Sequence, residues 1–257
     1  MSAGFRGPLA VRFDEFATLM RATGGRHVSL LSNLRRLDHF LATSFPEATT
    51  LTKVILTAWF ASFDHLRPTS RSRYRSATFQ VCKFLRRRDP ATGSIEDFLP
   101  QRCPRSFRPH IFSNEEIVRL VAAARELPER SADPMRPHSA ELVITLLYTA
   151  GLRIGEVVRL QVRDYDANDG TLVIRETKFA KTRLVPVSSS ARRIIDGYLE
   201  RRRELGLSCK PSDPLRCCPN NHLPCLGTVQ NRLADLMRKC AIKPARGRGP
   251  RVHDIRH

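Results

Sequence analysis

Four prolines between Asp89 and Phe112 constrain this chain more than any other feature. Pro90, Pro100, Pro104 and Pro109 lack an amide proton and fix φ, so neither a helix interior nor a central strand can run through them. Mixed with Arg102, Arg105 and Arg108, they predict an extended basic linker over residues 91–112. That linker divides the chain into folding units at 1–90 and 113–257. A chain of 257 residues lets each unit bury a core of its own.

The first unit reads as all-helical. In RHVSLLSNLRRLDHFLATSF, Leu30, Leu31, Leu34, Leu37 and Leu41 recur at helical spacing, as do Leu51, Val54, Ile55, Ala58, Trp59 and Phe63 in the next stretch. A third helix begins near Pro68 and Ser70, both good starting residues. It turns Tyr74, Ala77, Val81, Phe84 and Leu85 inward. Arg71, Arg73, Arg75, Lys83, Arg86, Arg87 and Arg88 face largely outward and, with Arg105 and Arg108 of the linker, are candidate phosphate contacts.

The second unit mixes elements. Ser113 and Glu116 form a capping box that opens a helix. PHSAELVITLLYTAG predicts another, capped at Ser139 and ended by Gly151 at the C′ position, with Tyr148 in its apolar core face. RIGEVVRLQ is a short third helix. TLVIRE and RLVPV are β-rich and predict a hairpin whose turn, TKFAKT, carries Lys178 and Lys181. SSARRIIDGYLERRREL and TVQNRLADLMRKCAI are amphipathic helices, and GRGPRV then leads to HDIRH. The fold class expected is mainly α with a small β-hairpin or sheet.

Charge indicates the partner. Lys and Arg total 44 against 25 Asp and Glu, a net +19, with +10 over residues 1–112 and +9 over 113–257. Charge spread over both units fits a polyanion such as nucleic acid, because neutralising phosphates releases counterions. No stretch reaches membrane-spanning length, and MSAGFRGPLAVRFDEF lacks the apolar core of a signal peptide. Seven cysteines without a secretion signal predict reduced thiols in a cytoplasm, where a nucleic-acid partner would make the protein nucleoid-associated. Cys209, Cys217, Cys218, His222 and Cys225 are soft potential ligands for zinc, but their spacing matches no familiar finger. Solvent-facing loop thiols are the preferred reading, with no metal and no cofactor.

YTAGLRIGEVVRL, TKFAKTRLVPV and HDIRH, in that order, resemble the successive motifs of the tyrosine recombinases, the phage-integrase superfamily. The resemblance covers residues 113–257, and more weakly a helical, SAM-like core-binding domain over roughly 10–90. It implies that a tyrosine attacks a DNA phosphodiester, forming a 3′-phosphotyrosyl bond and freeing a 5′-hydroxyl without a metal. Fixed donors must then meet the charge that develops on the phosphate. Arginine suits this role with its permanent charge and planar fork. By resemblance Arg153 and Arg256 clamp the phosphate, Lys178 is the general acid, and His253 hydrogen-bonds the phosphate and assists proton transfer. Glu156 and His257 support the site. Lys181, in the same turn, competes with Lys178 for the acid role.

The family pattern continues beyond H-x-x-R with a second histidine or tryptophan and then the nucleophile. Here Tyr74, Tyr148, Tyr165 and Tyr198 all lie upstream, outside any matching motif. The leading expectation is therefore a site-specific recombinase or integrase truncated before its tyrosine, binding DNA without cutting it alone. Its family's tetramer on paired sites would be weakened. A non-enzymatic regulator of recombination and a type IB topoisomerase-like nicking enzyme are the alternatives.

Overall fold

Apolar stripes at helical spacing build the first unit. The computed structural model describes residues 4–23, 27–93, 108–175, 182–217, 225–245 and 249–256. It divides into two compact units, Met1–Ser106 and Phe107–His257. The first contains α1 (Ala10–Ala22), α2 (Val28–Ser44), α3 (Lys53–Ala61) and α4 (Pro68–Leu85). Leu34, Leu37 and Leu41 of α2 are buried with Phe13 and Phe16, Leu56, Trp59 and Phe60, and Val81 and Leu85.

Val54 departs from the expected stripe and is 72% exposed. The hydroxyl of Thr52 accepts from the Ile55 amide and starts α3 in a phase where Ile55, Leu56, Trp59 and Phe60 face the core. The chain before α1 is pinned by buried Asp38, which accepts from the amides of Arg6 and Gly7 at 2.8 and 2.9 Å. A Cβ at Gly7 would sit 2.6 Å from Asp38 Oδ1, so only glycine fits this approach. Residues of the proline-rich stretch also fold onto this unit: Thr92 is buried, and the Gly93 amide donates to the Leu51 carbonyl at 2.7 Å.

The second unit comprises α5 (Asn114–Arg125), α6 (Arg136–Thr149), α7 (Ile154–Arg159), α8 (Ser189–Glu204) and α9 (Leu226–Lys239). A three-stranded antiparallel sheet joins them, in the order β1 (Tyr165–Asp166), β2 (Thr171–Ile174), β3 (Arg183–Pro186). The hairpin forms with Ile174 opposite Arg183, and its turn, with Lys178 and Lys181, lies outside the described residues. The capping box at Ser113 and Glu116 is present in both directions, at 3.2 and 3.0 Å. Phe112 already belongs to this core.

Every residue from Ser139 to Leu147 is buried, which makes α6 the central helix of the unit. Gly151 follows it with φ +57°, the left-handed conformation expected there. Two expectations fail on this helix. Ser139 is not its cap, because Pro137 starts the helix at Arg136 and leaves the buried Ser139 hydroxyl 3.3 Å from that of Tyr198. Nor is Tyr148 core: it is 37% exposed and its hydroxyl donates to Asn114 Oδ1 at 2.7 Å. No described helix is long and apolar enough to cross a membrane.

Candidate active site

Arg153 sits at the N-cap of α7, where the chain turns out of α6. Leu152, fully buried, fixes that turn in the core. The Arg153 amide donates to Glu156 Oε2 and its guanidinium to Glu156 Oε1, both at 2.8 Å. From across the unit, Arg183 donates both terminal nitrogens to the same carboxylate, at 3.1 and 2.8 Å. Glu156 is only 4% exposed. Burial alone would raise its pKa, but the hydrogen bonds from Arg183 and Arg153 outweigh it and hold the carboxyl at about 2. The carboxylate therefore stays ionised and ties the strand leaving the lysine-bearing turn to the loop carrying Arg153.

Glu156 is thus the supporting residue expected from the motif, whereas Arg183 is not among the site residues the motifs implied. Strand alternation carried the signal: Arg183 and Val185 lie on the more buried face of β3, Leu184 and Pro186 on the exposed one. A cation on the inward face needs a carboxylate.

HDIR forms a 3-10 helix over Val252–Arg256. Side chains three apart eclipse in this geometry. Val252 and Ile255 are buried in the core, while His253 is exposed and Arg256 half-buried. Asp254 is fully buried and fastens the turn. It accepts from the Arg251 amide at 2.9 Å and from two nitrogens of the Arg251 guanidinium at 3.2 and 2.9 Å. Burial would raise its pKa; the bonds from Arg251 and the His110 amide prevail and lower it. This helix and α7 both pack on α6 and α9, so Arg153, His253 and Arg256 are mounted on one helical platform. Lys178, Lys181 and His257 lie outside the described residues.

The four tyrosines have structural partners. Tyr74 stacks on Phe63 with centroids 4.2 Å apart and pairs with Arg36. Tyr165 donates to Asp196 Oδ1 at 2.8 Å, and burial with this neighbour pushes its pKa up to about 12. Tyr198 accepts from the Cys217 amide at 2.7 Å, and burial raises it to about 12 as well. Tyr148 is held by Asn114.

In the first unit, α2 and α4 border a concavity of about 840 Å³ lined by Ser29, Ser32, Asn33, Ser72, Arg73 and Gln80. Arg73, Lys83, Arg86 and Arg87 are exposed. The other candidates on this helix and the turn after it have partners: Arg71 with Asp64 at 3.4 Å, Arg88 with Glu15, and Arg75 over the Phe60 ring. Arg108 is exposed, and Arg105 lies outside the described residues. No group of three or more metal-ligating side chains occurs among the described residues. Cys218 and His222 fall outside them. Cys217 is buried rather than solvent-facing, packed in the second core. Cys225 is exposed.

The phage integrase family model matches residues 110–257, more than half of the chain. The chain belongs to the phage integrase family. It is 35% identical over 188 residues to the protein y4rB of Sinorhizobium fredii, covering 72% of this chain and 57% of that protein. With the tyrosine recombinase XerD of Rhizobium meliloti it shares 31% identity over 209 residues, 76% of this chain and 65% of the relative. It thus spans roughly half to two thirds of the length of such relatives. Its fold is similar to that of a lambda integrase dimer bound to a COC′ core site, with TM-score 0.66 and 16% identity over 96% of this chain and 86% of that one. The mainly helical architecture with one small sheet is that of tyrosine recombinases.

Proposed function

We propose that this chain grips duplex DNA with both units and clamps one backbone phosphate between Arg153 and Arg256, as in site-specific recombination. The observation that carries this reading is the Glu156 carboxylate, which fixes Arg153 at the N-cap of α7 and leaves its side chain 43% exposed. A guanidinium held by one edge still offers N–H groups to an oxyanion, at no reorganisation cost when charge develops. His253, outside on the 3-10 turn, donates to a non-bridging oxygen. Lys178, on the hairpin that Arg183 anchors, protonates the leaving 5′-oxygen. The similarity to a lambda integrase dimer on its core site supports DNA as the partner and self-association on it.

Within these 257 residues no tyrosine supplies the attacking oxygen. A phenol raised to about 12, as at Tyr165 and Tyr198, is a poor source of phenolate at neutral pH, and each hydroxyl is already engaged inside the fold, with Asp196 and with the Cys217 amide. Tyr74 and Tyr148 are bound to Arg36 and Asn114. These residues therefore bind and orient DNA without cutting it by themselves.

An electrophoretic shift with random-sequence duplex tests the binding. Between 50 and 200 mM potassium chloride, affinity should fall roughly 1,000-fold, the loss for about six phosphates neutralised. Replacing both Arg153 and Arg256 by alanine should lower the salt slope by about one, the single phosphate they share. Binding that ignores salt, or no binding at low salt, contradicts the proposal.

A further inference from the structure

A second arginine cluster lies between the start of α6 and helix α9. The turn before α6 brings Asp133 beside Arg130, whose backbone bonds it in both directions at 2.8 and 3.4 Å. Arg232 of α9 donates to Asp133 Oδ2 at 3.1 Å. Arg136, the first residue of α6, sits near both. Arg232 thus bonds the one carboxylate, while Arg136 feels the charges of Arg130 and Arg232 as well as that of Asp133.

The donor inventory is also unbalanced. Nε and one terminal nitrogen of Arg136, with one terminal nitrogen of Arg232, are buried and find no acceptor among the described residues. Buried N–H groups without acceptors are rare, and cationic ones rarer. Burial first, then the charges of Arg130 and Arg232, lowers the Arg136 pKa, with Asp133 only partly opposing them. Arg136 and Arg232 line an open cavity of about 500 Å³ with Thr228, Asn231 and Lys239 on its walls. Asp235, the acidic residue on that wall, is already bonded to Arg238.

We propose that this cavity binds a phosphate-class oxyanion, held by Arg136 and Arg232 and separate from the Arg153–Arg256 clamp. Several directed N–H donors in a half-buried, positively charged recess match the several acceptor oxygens of a phosphate. A backbone phosphate of bound DNA and a free phosphate-bearing metabolite present the same group, and the test separates them.

Inorganic phosphate is titrated into the whole chain at constant ionic strength, with chloride as the balancing anion, and melting temperature and heat of binding are followed. Saturable binding is expected, weakened at least tenfold by Arg136→Met. Asn231→Asp, on the exposed rim where the fold is not at risk, should weaken it as well by opposing the anion. The same variants are then tested for duplex binding against salt. A slope smaller by about one in Arg136→Met assigns the site to a DNA phosphate. An unchanged slope with lost phosphate binding assigns it to a free ligand. Phosphate that binds no better than chloride, or binds both variants like the original, overturns the site. Saturable phosphate binding without duplex binding would contradict the DNA reading while leaving this cavity's role intact.

Discussion

Two arginine–carboxylate clusters in the second unit use the same ingredients and reach opposite states. At Glu156, Arg153 and Arg183 direct their N–H groups onto both oxygens of a buried carboxylate. At Asp133, only Arg232 bonds the carboxylate, and buried guanidinium nitrogens of Arg136 and Arg232 are left without an acceptor among the described residues. The first cluster is closed around its own acid and can hold geometry. The second is open and has donors for a ligand. The number of arginines does not distinguish them; the buried guanidinium nitrogens left without an acceptor at the second do.

Acid should separate the clusters most strongly. Glu156 titrates near 2 when folded, against an ordinary value of 4.5. Its depressed pKa contributes stability that is complete above about pH 4.5 and lost as pH falls toward 2. The contribution is on the order of 3 kcal/mol, and Asp254, shifted the same way, adds to it. Urea unfolding of Glu156→Gln should therefore show a flatter acid limb than the original chain. An identical limb would mean the carboxylate is not tuned by its arginines.

Methionine substitutions give the next contrast, one of sign. Arg183→Met strands a buried carboxylate with fewer donors and should cost about 2 kcal/mol. This is less than for a fully buried pair, because the Arg183 side chain is 36% exposed and water substitutes for it in part. Arg136→Met removes donors that lack acceptors and should stabilise the chain by about 1 kcal/mol in phosphate-free buffer. Unfolding midpoints that move in the same direction would erase the distinction. The smallest effect is expected from Asp133→Asn, a loss below about 1 kcal/mol that added phosphate restores.

What the sequence disclosed follows the range of the interactions. The Ser113–Glu116 box, the α2 stripe, the Gly151 terminus and the hairpin of β2 and β3 depend on neighbours a few residues apart. They were readable directly. Ser139 was misread as a cap because Pro137, two residues earlier, starts α6 by itself. Tyr148 was misread because its apolar neighbours hid a single hydroxyl directed at Asn114. The candidate site was legible as residue types in order, namely Arg153, Glu156, His253 and Arg256. Its fastening was not. Arg183 reaches Glu156 across 27 residues and the His110 amide reaches Asp254 across the whole second unit, pairings that only tertiary structure creates.

The central claim is that these residues bind DNA and clamp its phosphate while none of their own tyrosines attacks. Its most direct test uses duplexes selected from a random pool for tight binding, then nicked at successive positions so that any cleavage is trapped. The purified chain is incubated with them and resolved on a denaturing gel, with a native gel run in parallel. The expected result is a retarded native complex that depends on Arg153 and Arg256, and no protein–DNA band after denaturation. A band that survives denaturation and maps to Tyr74, Tyr148, Tyr165 or Tyr198 would contradict it.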